Sequence, residues 1–393
     1  MRRAVVLVAL AACGDDGAMS VDGGAGDGGG DGSSGCDRVP AAADRTRYVV
    51  VARPYDSSGT GANVYEVLSL SADGTLAQMT PATLFTLGGR ASFGTIPFTP
   101  DGKVGFVAFN EGGKIGVFSI AADGTPTVID PGFDGAGDPA AVSVSPDGDT
   151  LYIVDRNTRN NGGGIYAATI HCDGTLTDRG LVAAARSPVG IAFRSSTAVI
   201  GARDLLDHEV LGDEVHLASL GAAPMRIAGG DAFGDDDQVM SQFALSADAS
   251  TVFIGDGNAA GVNRVGIATI TNSSVAFAAT LTDIVDPSGI AVSPFGNVAI
   301  VSAAQGNRIF QLDKAGANNA WRKVEVTTLG GNPQIPADMV SLDRGMLRGH
   351  VWVSENTSVR HVRFTQAGGV EDLGSLAFGA GLQNIPGAIG ITP

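Results

Sequence analysis

Short apolar runs, set between turns rich in Gly, Asp and Pro, dominate the chain from residue 44 onward. Val104-Gly105-Phe106-Val107-Ala108-Phe109, Leu151-Tyr152-Ile153-Val154 and Thr251-Val252-Phe253-Ile254 hold one place in a recurring pattern. Lys114-Ile115-Gly116-Val117-Phe118-Ser119-Ile120, Gly164-Ile165-Tyr166-Ala167-Ala168-Thr169-Ile170 and Val265-Gly266-Ile267-Ala268-Thr269-Ile270 hold the next. The runs contain β-branched residues, alternate only in part and lack the 3.6-residue apolar period of an amphipathic helix. They predict short strands.

The punctuation repeats as well. An apolar strand leads into a Ser-Pro-Asp-Gly-like turn at Phe98-Thr99-Pro100-Asp101-Gly102 and Val144-Ser145-Pro146-Asp147-Gly148. Weaker copies are Phe193-Arg194-Ser195-Ser196, Leu245-Ser246-Ala247-Asp248, Val292-Ser293-Pro294-Phe295-Gly296, Val340-Ser341-Leu342-Asp343 and Ile391-Thr392-Pro393. Aligned on positions 100, 146, 195, 247, 294, 342 and 393, the seven copies step by 46, 49, 52, 47, 48 and 51 residues. In such a turn Pro presets the backbone angle, Asp bonds its own backbone and Gly takes the left-handed position. A second turn recurs at steps of 50, as Ser71-Ala72-Asp73-Gly74-Thr75, Ala121-Ala122-Asp123-Gly124-Thr125 and His171-Cys172-Asp173-Gly174-Thr175. Asp-Gly between apolar runs is a hairpin signal.

Each repeat therefore reads as four antiparallel strands, a to d, with tight a–b and c–d turns, which is a propeller blade. The fold class predicted is all-β, a seven-bladed β-propeller, with six or eight blades as the alternative count. Asp44-Arg45-Thr46-Arg47-Tyr48-Val49-Val50-Val51 reads as the turn and b-strand of a blade whose own a-strand is missing. The ring is expected to close by pairing Ala388–Thr392 with Tyr48–Ala52, which removes free sheet edges.

Ser145-Pro146-Asp147-Gly148-Asp149-Thr150-Leu151-Tyr152-Ile153-Val154, followed by Asp173-Gly174-Thr175-Leu176-Thr177, resembles the lactonase/YVTN class of seven-bladed propellers. The resemblance covers about residues 44–393 and implies that fold. The enzymes of the class share a Pro-Arg-His signature entering an inner strand. The corresponding segments here are Ser92–Pro97, Gly137-Asp138-Pro139-Ala140, Ser187-Pro188-Val189-Gly190, Asp286-Pro287-Ser288-Gly289, Ile335-Pro336-Ala337-Asp338 and Ile385-Pro386-Gly387-Ala388. They keep the proline without Arg-His after it, so no catalytic residue transfers, and fold alone does not carry an activity. Six-bladed calcium-dependent gluconolactonases are similar in ring topology only.

Candidate chemistry sits on the face where the b–c and d–a loops of a propeller open. The expected ligand rim there is Asn110, Glu111, Asp155, Arg156, Asn157, Asp204, Asp256, Asn258, Gln305, Asn307, Glu355 and Asn356, with Asp207 and Asp235-Asp236-Asp237-Gln238 in loops on the same face. Asn and Asp also simply make good loops. Hard cations need several oxygen ligands, so no cofactor is expected and Ca2+ is left open. His171 and His216 fall on or near c-strands, and His350 and His361 near strand ends of the last blade. His208, in the long loop Arg203–Asp213, is the one candidate for acid–base work. No GxSxG, HExxH, P-loop or dinucleotide fingerprint occurs.

The net charge of −16, without a basic stripe, excludes nucleic acid as a partner and electrostatic docking on anionic lipid. The 57 glycines fit a chain of tight turns.

Met1-Arg2-Arg3 is a basic start, and Ala4–Ala12 is apolar but too short to span about 30 Å of hydrocarbon. Leu10-Ala11-Ala12-Cys13 resembles a bacterial lipobox, which implies cleavage before Cys13 and diacylation of its thiol; an ordinary secretory signal is the alternative. Residues 1–12 are thus read as a lipoprotein signal peptide, 13–43 as the lipidated Cys with a Gly/Asp/Ser tether, and 44–393 as the propeller. Gly14 directly after the cysteine, with Asp15 only one later, favours outer-membrane sorting. Cys172 falls in a c–d turn, on the face opposite the rim. The tether enters on that side, and the eight residues from Cys36 to Asp44 span up to about 27 Å. Exported thiols tend to pair, so a Cys36–Cys172 disulfide is expected. Together these features predict a surface-anchored, non-enzymatic and monomeric propeller that binds an envelope protein or glycan. A lactonase-like hydrolase with an atypical polar centre is the alternative.

Overall fold

The computed structural model describes residues 36, 38–40, 46–53, 63–92, 94–109, 112–135, 137–156, 163–206, 214–234, 240–257, 263–296, 298–315, 320–331, 333, 335–342, 345–378 and 387–393. The compact unit runs from Cys36 to Pro393. Seven antiparallel sheets follow one another along it, and they are the blades of a propeller. From the centre outward, blade 1 contains Ile389–Ile391, Arg47–Arg53, Val64–Leu70 and Leu76–Thr86. Blade 3 contains Pro139–Val144, Thr150–Asp155, Gly164–Ile170 and Leu176–Arg186. Blades 4 to 7 begin with the inner strands Gly190–Arg194, Met240–Leu245, Pro287–Val292 and Met339–Ser341.

Two blades depart from the four-strand expectation. The ladder of blade 2 has three strands, Val104–Ala108, Ile115–Ile120 and Pro126–Phe133; Phe98 bridges Gly105 where the inner strand belongs. Blade 3 gains a fifth strand, Asp204–Leu205, on the outer edge of Leu176–Arg186. The one helical element among the described residues is the 3-10 turn Gly345–Leu347. No helix there is long and apolar enough to cross a membrane.

The turn chemistry is as the repeats predict. Thr125, Thr175 and Ser250 each donate a backbone N–H to the aspartate two residues earlier, at 2.9, 2.9 and 3.0 Å. Gly102, Gly124, Gly148 and Gly174 take φ of 70°, 87°, 82° and 85°, the left-handed region that glycine enters without strain.

Packing explains why the strands alternate only in part. Val49 and Val51 point into a cluster with Trp352 and Val359 of blade 7, whereas Val50 and Ala52 point into a cluster with Val107 and Phe118 of blade 2. Successive side chains of a strand leave opposite faces, and here both faces meet a neighbouring blade. A sheet covered on both sides needs a continuous apolar run rather than alternation. Such a cluster lies at every boundary between adjacent blades, including that between blades 7 and 1.

The ring closes through the C-terminal strand. Val49, Val50 and Val51 pair with Ile391, Gly390 and Ile389. Ala52 N–H donates to Ala388 O at 2.8 Å, and Tyr48 N–H donates to the Thr392 hydroxyl at 2.9 Å.

Candidate functional site

The expected rim divides into three groups. Asn110, Glu111, Asn157, His208, Asn258, Asp207 and Asp235-Asp236-Asp237-Gln238 lie outside the described residues, as does Cys13. Arg156 and Gln305 are exposed and Asn356 half-buried, so they present polar groups at the surface.

In the third group Asp155, Asp256 and Glu355 serve as internal clamps. Asp155 is fully buried at the end of its strand, and its two carboxylate oxygens accept the Gly137 and Asp138 N–H groups at 2.7 and 2.8 Å. That ties the loop entering blade 3 to the outer end of strand Thr150–Asp155. Asp256 lies within strand Thr251–Gly257 and not in a loop as expected; it accepts the Arg264 Nε–H at 2.8 Å. Glu355, also buried, accepts from Arg360 Nε and the Ser358 hydroxyl, and Arg360 also pairs with Asp372 at 3.0 Å. Asn307 accepts the Ile335 N–H at 2.7 Å. Blade 1 repeats the device with Arg53 and Glu66, 2.9 Å apart and both 1% exposed. In blade 4 Glu214 accepts the Ala232 N–H at 2.8 Å. Asp204 is partly buried, and its Oδ1 finds no hydrogen-bond partner among the described residues.

Two of the histidines expected to be scattered are partners. His361 sits within the c-strand Ser358–Phe364, not at its end, with its ring 2.8 Å from His350 Nδ1 and stacked on Trp352. Burial, then the neighbouring His350, pushes His361 down to about 4. His216 is buried and satisfied: its Nε2 lies 3.0 Å from Ala202 O, and its Nδ1 accepts from Arg226 Nε.

Polar groups converge instead on the ring axis. A cavity of about 140 Å3 there is lined by inner-strand residues of six blades, among them Thr95, Ser143, Gln242 and Asp338. A wider chamber of about 700 Å3, towards the a–b turns, shares Thr95, Pro97, Ile290 and Met339 with it, so the two are successive parts of one channel. Asp338 C=O accepts the Ser354 N–H at 3.0 Å, so Asp338 stands opposite Ser354 as Gly289 faces Ser302, Gln242 faces Gly255, Gly190 faces Gly201 and Ala141 faces Val154. Four other blades thus place Ala, Gly, Gln and Gly on the tier where blade 7 places a carboxyl. Asp338 is 1% exposed, and neither carboxylate oxygen has a hydrogen-bond partner among the described residues. Burial pushes its pKa up to about 8, opposed only in part by the Gly94 backbone amide. The segment Ile335-Pro336-Ala337-Asp338 was legible as a strand entry. The signal for its chemistry is a charged residue on a tier that is otherwise small or neutral.

The opposite face carries the N-terminal strap. Cys36 and Cys172 form a disulfide, with Cα atoms 5.3 Å apart. Arg38 follows, 8% exposed, donating from Nη2 to His171 O at 2.9 Å and lying 3.8 Å from Asp101. Pro40 then lines the wide chamber. Burial would raise Asp101, but the Thr99 hydroxyl, the Lys103 amide and Arg38 outweigh it and hold the carboxyl below its ordinary range.

No protein-family model matches the chain, and no curated protein does. Solved structures do. The periplasmic gluconolactonase PpgL of Pseudomonas aeruginosa aligns with a TM-score of 0.58 at 15% identity, over 88% of this chain and 99% of its own. A functionally unknown protein from Desulfotomaculum acetoxidans gives 0.57 at 15% identity, over 88% and 98%. Apo AztD from Citrobacter koseri gives 0.55 at 13% identity, over 88% and 98%. At these identities the likeness establishes the fold and leaves the activity to the residues of the site.

Proposed function

We propose that the protein is a binding propeller of the cell envelope, anchored by a lipid on Cys13, that engages an envelope protein or glycan through the face bearing its b–c and d–a loops. The observation supporting this reading is the strap. Cys36, where the compact unit begins, is bonded to the c–d turn of blade 3, and Arg38 is held beside the a–b turn of blade 2. In this reading the anchored end joins the propeller on the turn face at Cys36, so the face bearing the b–c and d–a loops is the one left for partners. Arg156 and Gln305 are exposed polar groups on that open face.

Photo-cross-linkers at Arg156 and Gln305, compared with Asp73 and Asp123 in the c–d turns, test the reading on intact cells. Capture of one partner from the first pair supports it. Capture confined to the turn positions overturns the orientation, and a Cys13→Ala protein that still fractionates with membranes overturns the anchor. A lactonase-like hydrolase is the second reading, favoured by the protonatable carboxyl of Asp338 in the channel. Lactone turnover that is lost in Asp338→Ala would support it.

A further inference from the structure

Asp338 is the one ionisable side chain among the described residues lining the throat of the channel. A buried carboxylate with no charged partner, opposed by the Gly94 backbone amide alone, is costly, and it has two ways out: keep its proton or hold a cation. The throat has room for the second. Ala141, Gly190 and Gly289 place almost no side chain on the tier of Asp338. Thr95, Ser143 and Gln242 line the same cavity, and the hydroxyl and carboxamide oxygens that such residues carry hold hard cations and ammonium groups. About 140 Å3 accommodates an ion or a primary ammonium with a few waters, each taking about 30 Å3.

Charge decides the class of ligand. Among the described residues no three His, Cys, Asp or Glu side chains gather as a metal site. One carboxylate balances one positive charge. A divalent ion would keep half of its charge uncompensated in a low-dielectric throat. We propose that the channel throat at Asp338 is a seat for a single positive charge, an alkali cation or a primary ammonium group, held by the Asp338 carboxylate with Thr95 and Gln242. Proton and cation compete for the same carboxylate oxygens, and no other titratable or charged group among the described lining residues faces them. Occupancy therefore rises with pH.

Melting temperatures of the full-length protein, at constant ionic strength and above pH 8, test this with choline chloride replaced in turn by sodium, potassium or ethylammonium chloride. The expected result is a rise in Tm of a few degrees in at least one of the three over choline, shrinking as the pH falls below neutrality. A response to sodium or potassium identifies an alkali ion, and a response to ethylammonium alone identifies an amine. Asp338→Asn, which keeps the shape and removes the charge, abolishes the rise. Gln242→Leu weakens it and serves as the second variant if the first does not fold. Equal Tm in all four salts, or a rise that persists unchanged in Asp338→Asn, overturns the proposal.

Discussion

Glu214 and Asp338 each take up a proton on folding that an unfolded carboxyl would release near pH 4, because burial pushes both up to about 8. For Glu214 the nearby Asp231 adds to the effect of burial. Such a group stabilises the fold fully below pH 4, and its contribution is lost as pH rises towards 8. His361 has the opposite sign. Lowered to about 4, it favours folding above the ordinary imidazole range and loses that contribution as pH falls from about 6.5 to 4. The two carboxyls outweigh the one histidine, so these groups together favour mildly acidic solution of about pH 4 to 5, and their contribution declines as pH rises towards 8. Glu214→Gln keeps an acceptor for the Ala232 amide and cannot ionise, so it should flatten the fall in Tm between about pH 4 and 8. Calorimetry giving the same slope for the variant and the natural protein would rule this out. Glycine positions allow a second comparison at this scale. A Cβ on Gly124 would lie 2.6 Å from Tyr48 Cε1 at φ 87°, whereas a Cβ on Gly180 at φ 75° meets open space. Gly124→Ala should cost roughly 2–3 kcal/mol and Gly180→Ala roughly 1 kcal/mol in urea unfolding.

At the scale of strands and turns, most of the architecture was legible because local chemistry and tertiary role agree. Runs such as Arg47–Arg53 are apolar on both faces because both faces meet a blade, and the Asp-Gly turns work through bonds made within a few residues. The site was less legible, for a physical reason. A carboxylate at a strand end has the same letter whether it faces solvent or caps the amides of the next loop. Asp155 does the second, through Gly137 and Asp138, and nothing in its own segment says so. Asp338 was missed because its meaning depends on Ala141, Gly190, Gln242 and Gly289, which share its tier only once the ring is built. The strap is an element whose hold can be measured. The disulfide joins residues 136 apart, and the chain-entropy model gives about 5 kcal/mol for a loop of that size. Cys172→Ser should lower stability by several kcal/mol and expose the chain near Arg38 to protease. The double variant Cys36→Ser/Cys172→Ser should do no more harm than the single one. Additive losses would mean that each cysteine contributes packing apart from the bond.

For the whole molecule, the decisive feature is that every blade has two neighbours. Blade 1 is completed when Ile389–Ile391 return to pair with Val49–Val51, adding to the cluster that Val49, Val51, Leu68 and Leu70 form with Trp352 and Val359. The inner strand there tolerates no added bulk: a Cβ on Gly390 would lie 2.2 Å from the Ile96 carbonyl oxygen, which is backbone and cannot turn aside. Gly390→Val should therefore dislodge the closing strand, at a cost above the roughly 3 kcal/mol that overpacking a core usually brings. The dislodged strand leaves the Arg47–Arg53 edge with open N–H and C=O groups, and such an edge recruits another strand. The C-terminal segment of a second copy carries the same valine and the same clash, so the exposed edges of two copies pair with each other instead. Light scattering on a sized column should show dimers or larger species for Gly390→Val, with a lower and broader melt than the natural chain gives. A monomer melting at the unaltered temperature would mean that the seven blades hold their ring without the C-terminal strand.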